Sequence, residues 1–174
     1  MIRLFRPFKY IKSFHFIDIN HLKEHKKKLI ICDIDNTLVA HDEALPSQAV
    51  KDFVLQVQNA GLLICLISNN NKERVQRFAD ALKIKCYGFA KKPLRLTYKQ
   101  ILKDYNMKPS DIVAVGDQLL TDVLGGNRMN IDVILTHPLV TRDLKATKLN
   151  RRLENQIYRH LEKKKIMKRG VFDE

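Results

Sequence analysis

Three uninterrupted apolar runs, each stopped by polar residues, restrict the possible fold of this chain more than any other feature. They predict strands at 29–33, 62–67 and 111–115. Four or more consecutive apolar residues before a polar break indicate strands that are buried on both faces, as in a parallel sheet. The first run ends in two carboxylates, Asp33 and Asp35, and burying a pair of carboxylates without compensation is costly. A bound cation or a proton-carrying role would account for them, whereas the simpler alternative is a polar turn after the strand.

Apolar residues at helical spacing fill the intervals between these runs. Val50, Phe53, Val54 and Val57 follow a predicted helix start at Ser47, and Gly61 ends that helix. Further helices are predicted around 75–82, 97–105 and 119–129, with strands near 86–89 and 132–135. Strands that alternate with helices of this length predict an α/β fold, a three-layer, doubly wound, mainly parallel sheet with helices on both faces.

The length of 174 residues and the 45% hydrophobic content fit one domain with a substantial core. We expect residues 1–174 to form that single domain, with a catalytic core at 29–136 between a basic, aromatic arm at 1–28 and a basic helix at 145–170. No apolar run is long enough to cross a bilayer and no secretory signal is evident, so we expect a cytoplasmic protein. Cys32 and Cys65 lie inside apolar runs, which favours reduced, buried thiols.

The net charge of +13 comes from the two ends of the chain. Residues 1–28 hold eight Lys/Arg against two acids, residues 145–170 hold ten against two, and residues 29–144 are nearly neutral, with fourteen against thirteen. Such ends suit an anionic membrane surface or a nucleic acid, and the alternative is an ordinary solvated surface. A peripheral contact with the inner face of the membrane is therefore one expectation.

Each basic end of the chain could instead pack on the domain. In residues 1–17 single basic residues interrupt aromatic and aliphatic ones, a pattern that suits either an arm packed on the domain or a segment at a membrane interface. The C-terminal helix repeats an apolar residue every fourth position. This stripe, which favours docking on the sheet, consists of Leu149, Leu153, Ile157 and Leu161.

Asp33, Ser68 and Asp117 each follow a predicted strand directly. Ligands of parallel α/β sheets bind beyond the carboxyl ends of the strands, so these three side chains should meet at one edge. This convergence favours a site over a set of turn and cap residues.

Four segments in order resemble the motifs of the haloacid dehalogenase superfamily. They are Asp33-Ile34-Asp35-Asn36-Thr37, Ser68 after a strand, Lys92 before Pro93, and Gly116-Asp117 with Asp122. The resemblance implies a phosphatase in which Asp33 is the nucleophile and Asp35 the general acid and base. It also implies that Ser68, Asn69 and Lys92 bind the phosphoryl group, with Lys91 as the second candidate for the lysine.

The same resemblance implies a Mg²⁺ site. The ligands would be the carboxylates of Asp33 and Asp117 and the backbone carbonyl of Asp35, since a hard cation prefers oxygen ligands. Asp122 and Thr37 would support the ligands from behind. Asp122 has the alternative of an ordinary acid in a first helical turn, and Ser68 and Thr37 of helix caps.

Only 34 residues separate Asp33 from Ser68 and 23 separate Ser68 from Lys92, which leaves no room for an inserted cap domain. An open site suits a bulky or surface-bound substrate. The absence of a cap and the segments at 33–38, 68–70 and 90–93 resemble the YqeG-like branch of subfamily IIIA. That branch is similar to fungal phosphatidylglycerophosphate phosphatase, so the resemblance implies phosphatidylglycerophosphate as the substrate. The alternatives are a phosphatase of nucleic-acid ends or soluble phosphometabolites, and a non-catalytic phosphoacceptor module.

Overall fold

The computed structural model describes residues 2–140 and 145–173, and the side chains of the second range from residue 152 onward. The strands are β1 (Lys9–Ile11), β2 (Leu29–Cys32), β3 (Leu63–Ile67), β4 (Lys85–Tyr87), β5 (Ile112–Gly116) and β6 (Asp132–Thr136). The helices are α1 (Ile19–Glu24), α2 (Gln48–Asn59), α3 (Lys72–Leu82), α4 (Leu96–Asp104), α5 (Leu124–Asn127) and α6 (Lys145–Lys163). Each predicted strand of the core is present, with its ends shifted by at most two residues.

The six strands form one sheet in the order β1-β6-β5-β2-β3-β4, and every pairing is parallel. Strand β2 lies in the middle because the chain adds β3 and β4 on one side of it and β5 and β6 on the other. The topological switch point of the sheet, where the order of the strands reverses, therefore lies next to β2. Ligand crevices of doubly wound sheets open at this point, beyond the carboxyl ends of the strands.

Alternate residues of each central strand face opposite cores. Ile30 and Leu66 pack with the helices α1 to α3 on one face, whereas Ile31 and Ile67 pack with α4 and α6 on the other. The predicted three-layer α/β fold is confirmed. Ser47 begins α2 as predicted, because its Oγ accepts the N–H of Val50 at 3.3 Å.

The N-terminal arm is packed on the domain over part of its length. Its strand β1 adds to the edge of the sheet beside β6, with Tyr10 and Ile11 buried. Phe14 packs against Phe53, with 5.3 Å between the ring centroids. Phe16 by contrast is 62% exposed. The packed alternative is thus confirmed for Tyr10 to Phe14.

The C-terminal helix docks on the domain through part of the predicted stripe. Leu161 is buried and Ile157 packs against the core, whereas Leu153 is 46% exposed and the side chain of Leu149 lies outside the described residues. Among the described side chains, Glu154 and Tyr158 complete the buried line. A stripe of every fourth residue drifts around a helix of 3.6 residues per turn by about 40° at each step. The buried line follows the true helical period instead. The helix also ends at Lys163, seven residues before the predicted end at 170.

The predicted helix at 119–129 begins with a wider turn. Residues Leu119–Val123 form a π-helical turn, and α5 follows at Leu124–Asn127. The backbone carbonyl of Gln118 accepts both the Asp122 and the Val123 N–H groups, at 3.0 and 3.2 Å. Such turns are frequent at functional sites. Among the helices in the described ranges, none is both long and apolar enough to span a bilayer.

Candidate active site

The ammonium group of Lys92 lies between two buried carboxylates at the carboxyl ends of the central strands. Its Nζ is 2.7 Å from Asp33 Oδ1 and 2.6 Å from Asp122 Oδ1, and it also donates to the Ile67 carbonyl at 3.3 Å. Asp33 follows β2 directly, and its N–H bonds to the Val115 carbonyl on the neighbouring β5. The sheet register therefore fixes the position of the predicted nucleophile.

Lys92 lies on the loop after β4 and is held there by Asn69, which follows β3. The side chain of Asn69 binds both backbone groups of this lysine, since its Oδ1 accepts the Lys92 N–H at 2.6 Å and its Nδ2 donates to the Lys92 carbonyl at 3.1 Å. Lys91 is exposed, with its Nζ over the Phe89 ring, 5.1 Å from the centroid. Of the two candidate lysines, the structure places Lys92 in the site and Lys91 outside it.

Asp122 is positioned by the π-helical turn. Its Oδ2 accepts the backbone N–H of Gln118 at 3.1 Å and the hydroxyl of Thr121 at 3.2 Å, while its Oδ1 binds Lys92. Gly116 makes room for this carboxylate, because a Cβ there would lie only 2.2 Å from Asp122 Cγ. Both oxygens of Asp122 are thus engaged, as expected for a residue that supports the site from behind.

Asp33, Asp117 and Asp122 offer carboxylate oxygens that all lie within 4.8 Å of one another, and all three residues are buried. Three carboxylates against the single charge of Lys92 leave an excess of two negative charges. Oxygen donors with this excess fit a divalent cation. Since Asp122 is engaged by Lys92 and by its own turn, Asp33 and Asp117 are the residues that would hold the ion. The predicted backbone ligand at Asp35 stays a prediction.

The buried charges shift one another's protonation. Burial raises the pKa of Asp33 well above that of an ordinary aspartate, against the opposing effect of Lys92, and Asp122 adds to the rise. Burial alone would lower the pKa of Lys92, but the carboxylates of Asp122 and Asp33 outweigh it and raise that pKa. Lys92 is therefore a permanent cation in the site. A divalent cation beside Asp33 would favour its ionised, nucleophilic form.

Ser68 is buried at the end of β3, next to the β4 end. Its Oγ accepts the backbone N–H of Asn70 at 3.1 Å, a contact that does not use the hydroxyl hydrogen. The neighbouring Asn69 was predicted to bind phosphate as well. Its side chain binds the Lys92 backbone through Oδ1 and one hydrogen of Nδ2, which leaves the second Nδ2 hydrogen and the backbone N–H as its candidate phosphate donors.

Asp35 faces different partners from Asp33, since the chain turns at Asn36, where φ is +63°. Its Oδ1 accepts from Nη2 of Arg74 at 2.7 Å, and its Oδ2 accepts from Nδ2 of Asn70 at 3.1 Å. Sequence reasoning missed Arg74, which no motif spacing marks out. The hydroxyl of the predicted supporting residue Thr37 is buried without a hydrogen-bond partner among the described residues.

Comparisons with known proteins agree with this geometry. Residues 30–91 match a family model described as haloacid dehalogenase-like hydrolase, and residues 89–162 match one described as HAD-hydrolase-like. The chain is 35% identical over 162 residues to the probable phosphatase YqeG of Bacillus subtilis, an alignment that covers 93% of this chain and 94% of that protein.

Solved structures show the same fold at low identity. An uncharacterized protein from Listeria monocytogenes is 16% identical with a TM-score of 0.53, covering 74% of this chain and 97% of that one. The cobalt-bound deoxy-D-mannose-octulosonate 8-phosphate phosphatase from Haemophilus influenzae is 14% identical with a TM-score of 0.51, covering 79% of this chain and 90% of that one. These two likenesses concern the fold alone.

Proposed function

This chain belongs to the haloacid dehalogenase-like hydrolases, in the branch of the probable phosphatase YqeG, and it is a phosphatase; on that premise we propose that it is a Mg²⁺-dependent enzyme that works through an aspartyl-phosphate and removes the terminal phosphate of phosphatidylglycerophosphate. The observation that carries the proposal is the Lys92 ammonium between Asp33 and Asp122, with Ser68 and Asp117 at the same edge of the sheet. Family membership favours an enzyme over a non-catalytic phosphoacceptor module.

The chain's own residues supply the two halves of the reaction. An oxygen of Asp33 attacks phosphorus, the bond from phosphorus to the substrate oxygen breaks, and Asp35 gives its proton to the departing alcohol. Asp35 then takes a proton from water, which attacks phosphorus, releases inorganic phosphate and restores Asp33. Lys92 offsets the negative charge on the transferring group, and Ser68 donates a hydrogen bond to one of its oxygens. A bound Mg²⁺ would reduce the repulsion between the anionic nucleophile and the anionic phosphate.

Metal removal is the first test. We expect turnover of p-nitrophenyl phosphate to fall to background after dialysis against EDTA and to return with Mg²⁺, because three buried carboxylates need a cation before a phosphate dianion can approach. The Asp117→Asn variant should need a higher Mg²⁺ concentration for half-maximal rate. Full activity of the dialysed protein in EDTA would refute the metal requirement.

A surface next to the site supports a lipid substrate. Ile2, Phe5, Leu120, Leu153 and Ile157 line a shallow apolar concavity, which we call the apolar rim. Leu120 belongs to the π-helical turn that carries Asp122, and its N–H donates to Glu154 Oε1 of α6 at 3.1 Å, so this turn connects the rim to a residue of the active site. Exposed basic residues occur on the same segments, namely Arg3, Arg152 and Arg159. Basic side chains contribute about 1 kcal/mol each near an anionic leaflet.

The lipid assay decides the substrate. We expect the protein with Mg²⁺ to release phosphate from phosphatidylglycerophosphate in mixed micelles, and Leu153→Glu to lower that rate at least about tenfold while leaving hydrolysis of a soluble phosphomonoester unchanged. Leu55→Glu, at a half-exposed leucine on α2, is the matched control. Absence of phosphate release from the lipid, together with turnover of a 5′-phosphorylated oligonucleotide or a soluble phosphometabolite, would replace the lipid with that substrate.

A further inference from the structure

The guanidinium group of Arg74 lies beside Asp35 and is only partly used by the protein. Its Nη2 donates to Asp35 Oδ1 at 2.7 Å and to the Glu43 carbonyl at 2.9 Å. Its Nε is buried and has no hydrogen-bond partner among the residues the structure describes. Leaving a buried donor unpaired is costly, and native proteins rarely do so. Arg74 therefore has one N–H that a further acceptor would satisfy once the side chain turns toward it.

In this arrangement both carboxylate oxygens of Asp35 already accept a hydrogen bond from the protein. Arg74 engages its Oδ1 and Asn70 engages its Oδ2. The leaving alcohol needs one of these oxygens as its hydrogen-bond partner, so it competes there with the donor that is already bound. A guanidinium pairs strongly with carboxylates and phosphates, and another anion is the natural competitor for it.

We propose that Arg74 binds a second anionic group of the substrate, a phosphodiester on the alcohol that leaves. This proposal rests on the function proposed above and deepens it. The alcohol that leaves from phosphatidylglycerophosphate is phosphatidylglycerol, whose head-group glycerol is attached to a phosphodiester. As Arg74 turns to the phosphodiester, it no longer competes with the leaving alcohol for Asp35 Oδ1. The substrate group that Arg74 recognises thus also releases the general acid.

The neighbouring cations do not fill this role. Lys92 already binds Asp33, Asp122 and the Ile67 carbonyl, and its side chain is only 2% exposed. Lys91 lies over the Phe89 ring, away from the buried carboxylates of the active site. Arg74 by contrast is on the first turn of α3, is 18% exposed and contacts Asp35, the residue that protonates the leaving alcohol in the proposed function.

Two soluble substrates isolate the phosphodiester. Glycerophosphoglycerophosphate, the deacylated lipid, and sn-glycerol 3-phosphate offer the same kind of phosphomonoester, but only the first carries a phosphodiester. We expect the wild type to prefer the first, and Arg74→Gln to raise its KM and lower its kcat/KM about tenfold to a hundredfold, as for one lost charge-assisted hydrogen bond. The loss in kcat/KM for glycerol 3-phosphate should be at least about threefold smaller, because that substrate has no phosphodiester for Arg74 to bind, and Arg74→Lys should be intermediate.

Arg77→Gln is the matched control, an exposed arginine one turn further along α3, and should leave both substrates unaffected. If Arg74→Gln lowers kcat/KM equally for the two substrates, Arg74 only supports the surrounding structure, such as the loop at Glu43, and the proposed anion site is wrong. A wild type without preference for the phosphodiester would overturn it too. Failure of the lipid function is seen separately, as absent phosphate release from phosphatidylglycerophosphate by the wild type.

Discussion

Asp33→Asn lowers kcat for any phosphomonoester by about 10⁴-fold or more, because no other group takes over the attack on phosphorus. The asparagine keeps the size of the side chain, so a steric explanation is excluded. Folding should be retained, since Lys92 keeps Asp122 as its partner at 2.6 Å. The measurement is steady-state phosphate release, with the thermal midpoint of unfolding as the check on folding.

Two further measurements make this prediction specific. Asp42→Asn, at an exposed loop position, is the control for loss of one charge and should keep the wild-type rate. In the wild type, quenching with acid during turnover should trap a covalent phosphoryl group by intact mass, and Asp33→Asn should trap none. Residual activity above about a hundredth of wild type in Asp33→Asn would show that another residue is the nucleophile.

The edge where the site forms follows from the sequence because it depends on the direction of the strands and not on details of packing. Apolar runs that stop at Asp33, Ser68 and Asp117 imply parallel strands, and parallel strands bring their ends together. The structure has all three residues buried at the carboxyl edge. Lys92 before a proline was also placed in the site by its family pattern.

The contacts that position these groups do not follow from the pattern. Arg74 reaches Asp35 only because α3 begins beside the β2 end, a matter of tertiary packing that no local spacing records. The π-helical turn at Leu119–Val123 depends on two N–H groups sharing the Gln118 carbonyl, and helical periodicity over so few residues cannot reveal one inserted residue. On α6 the predicted stripe and the buried line share Leu161 but separate toward Leu153, because spacing by four approximates the helical period poorly.

Lys92→Met should be the most destabilising single substitution in the site. It keeps an unbranched side chain of similar length, but leaves Asp33 and Asp122 buried and without their shared cation. Removing one partner of a buried ion pair typically costs about 3–5 kcal/mol, a large part of the stability of a domain of this size. We expect that loss in the free energy of unfolding, measured by urea denaturation without Mg²⁺, and loss of phosphatase activity.

The matched control is Lys91→Met, one residue earlier and exposed, which should change the free energy of unfolding by about 0.5 kcal/mol or less. Adding Asp122→Asn to Lys92→Met removes one uncompensated carboxylate and should recover part of the stability, a coupling that a double-mutant cycle measures. Activity should not return, because the charge opposite the transferring phosphate is still missing. Mg²⁺ should stabilise Lys92→Met more than the wild type, since the ion then meets three carboxylates that no lysine opposes. If Lys92→Met unfolds at the same urea concentration as Lys91→Met, the buried carboxylates are neutral in the resting protein, and the electrostatic role given to Lys92 is wrong.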